Sequence, residues 1–173
     1  MKNKTKWIIT VFLLSFILSV IFSWISTSMA DAFNMIILIF ITLAVIAIGI
    51  IFDMIGVAVL TCKESNLHAK AAKKLKGAKQ AIALIKNSTK VSSVCNDVIG
   101  DICGIVSGSL GAALTLDIIG IVDVSSVIIT VIVTATISAL TVGFKAIFKD
   151  VAEKNSDAIV FTVGKVLSVF KKQ

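Results

Sequence analysis

The sequence predicts an all-α, polytopic helical membrane protein, and three observations carry that reading. Hydrophobic residues make up 57% of the chain, charged residues only 16%, and mean hydropathy is +1.04. A soluble domain of this size is nearer about 45–50% apolar and about 25% charged. The apolar residues also fall into four runs of roughly 20 residues or more, enough for a helix to cross a hydrocarbon layer. The lysines gather in blocks beside those runs. Proline, which would break a helix, is absent from the 173 residues. A β-barrel would need strands of about ten residues with alternating polarity, and continuous apolar runs exclude it. The length suits a single membrane domain, 1–173.

The first predicted span is 7–26. Lys2, Lys4 and Lys6 precede it, and Trp7 and Trp24 stand 17 residues apart. That separation is about 26 Å along a helix, which suits tryptophans at two membrane interfaces. Ser28-Met29-Ala30 resembles the small-residue cleavage site of a signal peptide. The apolar run is longer than the usual ~7–15-residue core of such a peptide, so it is read as a retained span or signal anchor, with cleavage of residues 1–30 as the rival.

The second predicted span is 34–60, interrupted by Asp53. The polar segment that follows holds eight lysines between Cys62 and Lys90. Within it, Ala71, Leu75, Ala78, Ile82 and Ile85 recur at helical spacing and predict an amphipathic cytoplasmic helix over 66–86. Lys70, Lys73, Lys74, Lys76 and Lys79 occupy its other face. Such a helix lies in a membrane interface with its ammonium groups on anionic lipid headgroups. The alternative docks its apolar face on the bundle. His68 has no ligand-spaced partner and reads as a surface residue. The third span is 91–116 and the fourth 124–144. Asn155-Ser156-Asp157 is a helix-opening cluster, and Ile159, Val163, Val166 and Phe170 continue into an amphipathic C-terminal helix over 155–172.

The formal charge is +7, and every basic residue is lysine. Arginine is the usual choice for bidentate phosphate recognition, so its absence counts against nucleic-acid binding. The basic segments are the N-terminus, the 63–90 segment and the tail, whereas 27–34 and 117–123 contain no lysine. The positive-inside rule then predicts a cytoplasmic (inner) membrane protein with a cytoplasmic C-terminus. Cys62, Cys95 and Cys103 lack metal-ligand spacing, and their odd number argues against a disulfide framework. They read as small packing residues. No HExxH, GxSxG or phosphate-loop pattern is present, and the chain is not read as an enzyme.

The acids inside the spans are the candidate site. Asp53 lies ten residues before Lys63, and Asp101 eleven after Lys90. On antiparallel helices both fall about 15 Å from the basic segments. An ionised carboxylate at that depth costs at least ~2.5–3.5 kcal/mol unless it finds a partner. No lysine is expected at that depth, so a cation is the natural partner. Asn96 and Asp97 on the third span, and Ser138 and Thr141 on the fourth, add oxygen donors that suit a hard cation such as Mg²⁺. Gly100, Gly104 and Gly108 form overlapping GxxxG steps that predict close helix packing, against another span or a second subunit.

These residues resemble those of the membrane domain of the CorB/CorC/cyclin M magnesium transporters. The order of apolar span, basic amphipathic helix, glycine-rich span, polar span and basic tail is similar over roughly 41–167. Ile51-Phe52-Asp53-Met54-Ile55-Gly56-Val57-Ala58-Val59 occupies the place of a segment like FFSASETAL. Ile99-Gly100-Asp101 looks like the family's IGN motif. Gly143-Phe144-Lys145 and Glu153-Lys154-Asn155 loosely echo its GE..PK and RNP-like stretches. Asp53 stands where the family has serine, Gly56 where it has glutamate, and Asp101 replaces asparagine. Phe144 stands in place of the last acid, and the family's cytoplasmic CBS pair is missing. The resemblance implies Mg²⁺ among Asp53, Asp101 and oxygens of the last span, and a homodimer. The leading expectation is therefore divalent-cation binding or transport. The alternative is a non-transporting structural or regulatory membrane protein, of a partner-binding, immunity or phage type.

Overall fold

The structure, a computed structural model, describes residues 2–122 and 124–170. It is all-α, and no strand occurs among the described residues. The helices are α1 (Lys2–Ala32), α2 (Met35–Thr61), α3 (Glu64–Ala72), α4 (Ala78–Lys86) and α5 (Ser88–Ser93). A π-helical turn over Val94–Gly100 follows, then α6 (Asp101–Ile119), α7 (Ser126–Lys154) and α8 (Ser156–Phe170). Four helical stretches are long and apolar enough to cross a membrane: Lys6–Ser28, Met35–Thr61, Ser88–Ile119 and Ser126–Lys154. They correspond to the four predicted spans. Asp123, in the turn before the fourth span, and residues 171–173 lie outside the described residues.

The chain divides into two compact units. Residues 1–50 and 98–144 form the first. Its core is a stripe on α6, where Ile102, Val106, Leu110 and Leu114 recur at helical spacing and bury against Leu38 of α2. Val11 and Leu18 of α1, and Met35, Ile41 and Val45 of α2, close around that stripe. Ser26 of α1 donates to Ser109 of α6 at 3.1 Å. Phe12, Phe16 and Trp24 remain exposed on α1, as expected of side chains that meet lipid tails.

Of the GxxxG set, Gly100 is buried and its carbonyl oxygen lies 3.9 Å from where a Cβ on Gly49 would be. A Cβ on Gly49 would meet Cys103 at 2.9 Å, and one on Gly111 would run into Ile137. Nothing lies within 4 Å of a Cβ on Gly104 or Gly108. The close packing predicted at those two positions is therefore not made among the described residues. The spacing gives a smooth face, but larger side chains on its flanks decide what approaches it.

Residues 51–97 and 145–173 form the second unit. Its core joins Ala58 and Val59 of α2, Leu67 of α3, Ala81 of α4, Ala152 of α7 and Val160 of α8. The predicted single helix over 66–86 is two helices. α3 ends in a Schellman motif, with Leu75 N–H donating to Lys70 C=O at 3.3 Å and Lys74 N–H to Ala71 C=O at 2.9 Å. Lys74 takes the left-handed position of that motif at φ 53°, and Gly77 opens α4 at φ 91°.

The apolar face of α4 is covered by α8. A Cβ on Gly77 would meet the backbone nitrogen of Lys165 at 2.6 Å, and one on Gly164 would meet the Gly77 carbonyl oxygen at 2.5 Å. Ile82 and Ile85 pack on the same core. Docking against a neighbouring helix thus covers the α4 part of the stripe, while Leu75 stays exposed.

Candidate functional site

Asp53 is 4% exposed. Its chain neighbours on α2, Phe52 and Met54, are half-buried. Two ammonium groups reach its Oδ2 atom, Lys149 Nζ at 3.4 Å and Lys145 Nζ at 3.8 Å. The expectation that no lysine reaches this carboxylate is corrected here. The fourth span was predicted to stop at 144, but α7 continues unbroken to Lys154. Lys145 and Lys149 are one helical turn apart on the same face of that extension. Their long apolar stems let the charge reach a buried partner while the rest of the side chain stays partly solvated.

Asn96 lies beside Gly56, one turn along α2 from Asp53. A Cβ on Gly56 would coincide with the Asn96 amide and would push that side chain aside. The π-helical turn carries Asn96 and Asp97, and such single turns widen a helix and re-aim its side chains. Asn96 Nδ2 donates to Ser92 Oγ at 3.3 Å. Its Oδ1 is a buried oxygen that accepts no hydrogen bond, whereas the buried Asp53 Oδ2 is paired with the two ammonium groups. Most buried polar atoms in folded proteins find a hydrogen-bond partner, so the amide oxygen of Asn96 stands out.

The other predicted donors are placed differently. Asp97 is exposed and accepts a hydrogen bond from Ser93 Oγ at 2.9 Å. Asp101 opens α6 in the first unit with an exposed side chain. Ser138 and Thr141 also belong to the first unit. Ser138 is exposed, and Thr141 Oγ1 donates to Ile137 C=O at 2.8 Å. Thr134 and Thr136 bond back to their own helix in the same way. Among the described residues, no group of three or more His, Cys, Asp or Glu could hold a metal ion. Within the second unit, Asn96 sits against Gly56 one turn along α2 from Asp53, and two lysines are the counter-ions of that carboxylate. The partners of Asp53 and the glycine seat of Asn96 were missed in the sequence. The lysine pair four residues apart, and a glycine three after Asp53, were the available signals.

A second polar cluster ties α3 to α8. Asp157, in the first turn of α8, accepts from Cys62 Sγ at 3.1 Å and from Asn66 Nδ2. Lys70 Nζ donates to the Asp157 carbonyl at 3.4 Å and sits 4.6 Å from the centroid of the Phe161 ring. Burial first, then the hydrogen bond to Asp157 and its negative charge, push the Cys62 thiol up to about 12. Burial disfavours the charged Asp157 carboxylate. Hydrogen bonds from Cys62 and Asn66, with the charge of Lys70, outweigh it and hold the pKa below the usual carboxylate value. The site stays protonated at Cys62 and ionised at Asp157 near neutral pH, which suits a tether and not a nucleophile.

Compared with known protein families, curated proteins and solved structures, the chain finds no match in any of the three.

Proposed function

We propose that this multi-pass membrane protein binds a divalent cation of the Mg²⁺ kind at Asp53 and Asn96, and that Lys145 and Lys149 hold the carboxylate when the cation is away. The supporting observation is Asn96 Oδ1, a buried amide oxygen that accepts no hydrogen bond, beside Gly56 one turn along α2 from the buried carboxylate of Asp53. A carboxylate and an amide oxygen are hard donors, and Mg²⁺ keeps several waters as its remaining ligands. Two protein oxygens are thus a sufficient anchor. The resemblance of Ile51–Val59 and Ile99–Asp101 to the CorB/CorC/cyclin M transporters points the same way and extends the reading to transport across the cytoplasmic membrane.

The cation competes with the lysines for one oxygen. Binding therefore has to displace Lys149, the nearer ammonium, which is half exposed and can return to water. In a neutral detergent, Mg²⁺ at a hundredfold excess over Kd should stabilise the protein by about 2.7 kcal/mol. Asp53→Asn should abolish that gain. Lys149→Gln should enlarge it, because the competitor is gone.

The lysines themselves favour a second reading, a structural or regulatory membrane protein that does not transport. Asp53 would then be a charge neutralised by its own chain. In that case Lys149→Gln lowers the thermal midpoint equally with and without Mg²⁺, and the wild-type midpoint ignores the cation.

A further inference from the structure

We propose that the turn between α3 and α4 binds the phosphate headgroup of an anionic phospholipid, with the acyl chain lying on Leu75 and Val169. This surface is separate from the Asp53 site and does not depend on the cation reading.

The turn and the end of α8 enclose an open groove of about 840 Å³. Lys74, Lys76 and Lys79 line it, together with Leu75, Gln80 and Val169. No carboxylate lines it among the described residues, so the three ammonium groups have no acidic neighbour there. Leu75 is 45% exposed and Val169 75% exposed at the same mouth. An apolar side chain flanked by lysines on both sides matches a molecule with an anionic head and a hydrocarbon tail. It does not match a soluble polyanion, which has no use for the leucine.

The backbone adds an independent observation. Lys74 holds the left-handed position of the α3 Schellman motif, where glycine would sit without steric cost. Residues kept in such conformations gather at ligand clamps. The conformation turns the chain so that Lys74, Lys76 and Lys79 line one groove, which a continuous helix would have spread around its circumference.

The partner is within reach. α2 ends at Thr61 and the next membrane-length stretch begins at Ser88, so both ends of the α3–α4 segment are held by spans. Two candidates from the sequence drop out for physical reasons. The Ala78–Ile85 face of α4 is covered by α8, and Lys70 is engaged with Asp157 and Phe161. The anionic lipid is met by the turn and not by a helix lying flat.

The test uses the full chain in a neutral detergent. Native mass spectrometry counts retained phosphatidylglycerol against phosphatidylcholine. Wild type should retain phosphatidylglycerol selectively. Each lysine near an anionic surface contributes about fivefold, so Lys74→Gln/Lys76→Gln/Lys79→Gln should weaken retention on the order of a hundredfold. Leu75→Ser should weaken phosphatidylglycerol retention with the charge unchanged. Lys63→Gln/Lys73→Gln/Lys86→Gln removes the same charge outside the groove and should leave most of the selectivity. Helical circular dichroism and a single elution peak establish that each variant is folded. Equal loss in the two triple variants would mean that net charge alone attracts lipid and would overturn the site. Competition by free glycerol phosphate at concentrations equal to the lipid would overturn the lipid assignment.

Discussion

Replacing Gly164 by alanine should destabilise the protein, although the same change stabilises an ordinary helix. Gly164 lies inside α8, where alanine is favoured over glycine by about 0.5–1 kcal/mol. Here the added Cβ would lie 2.5 Å from the Gly77 carbonyl oxygen and 2.8 Å from both the nitrogen and the Cβ of Ala81. Two of those three atoms belong to backbone, and no side-chain rotation can move them away. Gly77 itself cannot shift freely, because its own backbone is in the left-handed region and rests on Lys165. Overpacking of this kind costs ~1–3 kcal/mol, and immovable neighbours put it at the upper end. The net loss is then about 1–2 kcal/mol, or roughly 2–8 °C in thermal midpoint for a chain of this size. Gly104→Ala is the matched control. Nothing lies within 4 Å of its Cβ, so the propensity gain stands alone, and the midpoint should rise by roughly 1–4 °C. Differential scanning fluorimetry of both variants in one detergent reads the sign directly. A rise at Gly164 equal to that at Gly104 would refute the α4–α8 crossing.

Lys74→Gly removes a side chain from a left-handed position. It should raise the midpoint by roughly 2–4 °C, measured in the same assay, while weakening phosphatidylglycerol retention. Asp157 has a depressed pKa, so its stabilisation is complete above the unfolded carboxylate value of about 3.9 and is lost as pH falls through the folded value. Midpoints measured from pH 7 down to about 3 should fall less steeply in Asp157→Asn than in wild type. Asp53→Asn and Lys149→Gln should not be additive. Each single change disturbs the pair, the double removes both charges, and a double-mutant cycle should return about 1–3 kcal/mol of coupling.

The spans were legible because a continuous apolar run without proline has one stable outcome in lipid, a helix. Their cytoplasmic ends were less legible. The hydropathy of the fourth run falls at Lys145, yet the helix does not stop, because nothing between Lys145 and Lys154 caps or breaks it. That continuation is what brings Lys145 and Lys149 to Asp53, a pairing across more than ninety residues that no local pattern encodes. The Ala71–Ile85 stripe was visible, but its periodicity survives a break. Gly77, the sole glycine of that segment, was the one residue that marked it. GxxxG spacing located a smooth face at Gly104 and Gly108, while the tight contacts fell at Gly49, Gly56, Gly77, Gly111 and Gly164. Which glycine is crowded depends on the partner helix, and single-chain spacing carries no information about it.

The cation reading is tested most directly by an experimental structure of the protein grown with Mn²⁺, whose anomalous scattering identifies the ion. One Mn²⁺ should be bonded to Asp53 Oδ2 and Asn96 Oδ1 at roughly 2.0–2.6 Å, the range of hard-cation oxygen distances, with Lys149 Nζ withdrawn from the carboxylate. No anomalous density there at saturating Mn²⁺, with Lys145 and Lys149 still resting on Asp53, would contradict it.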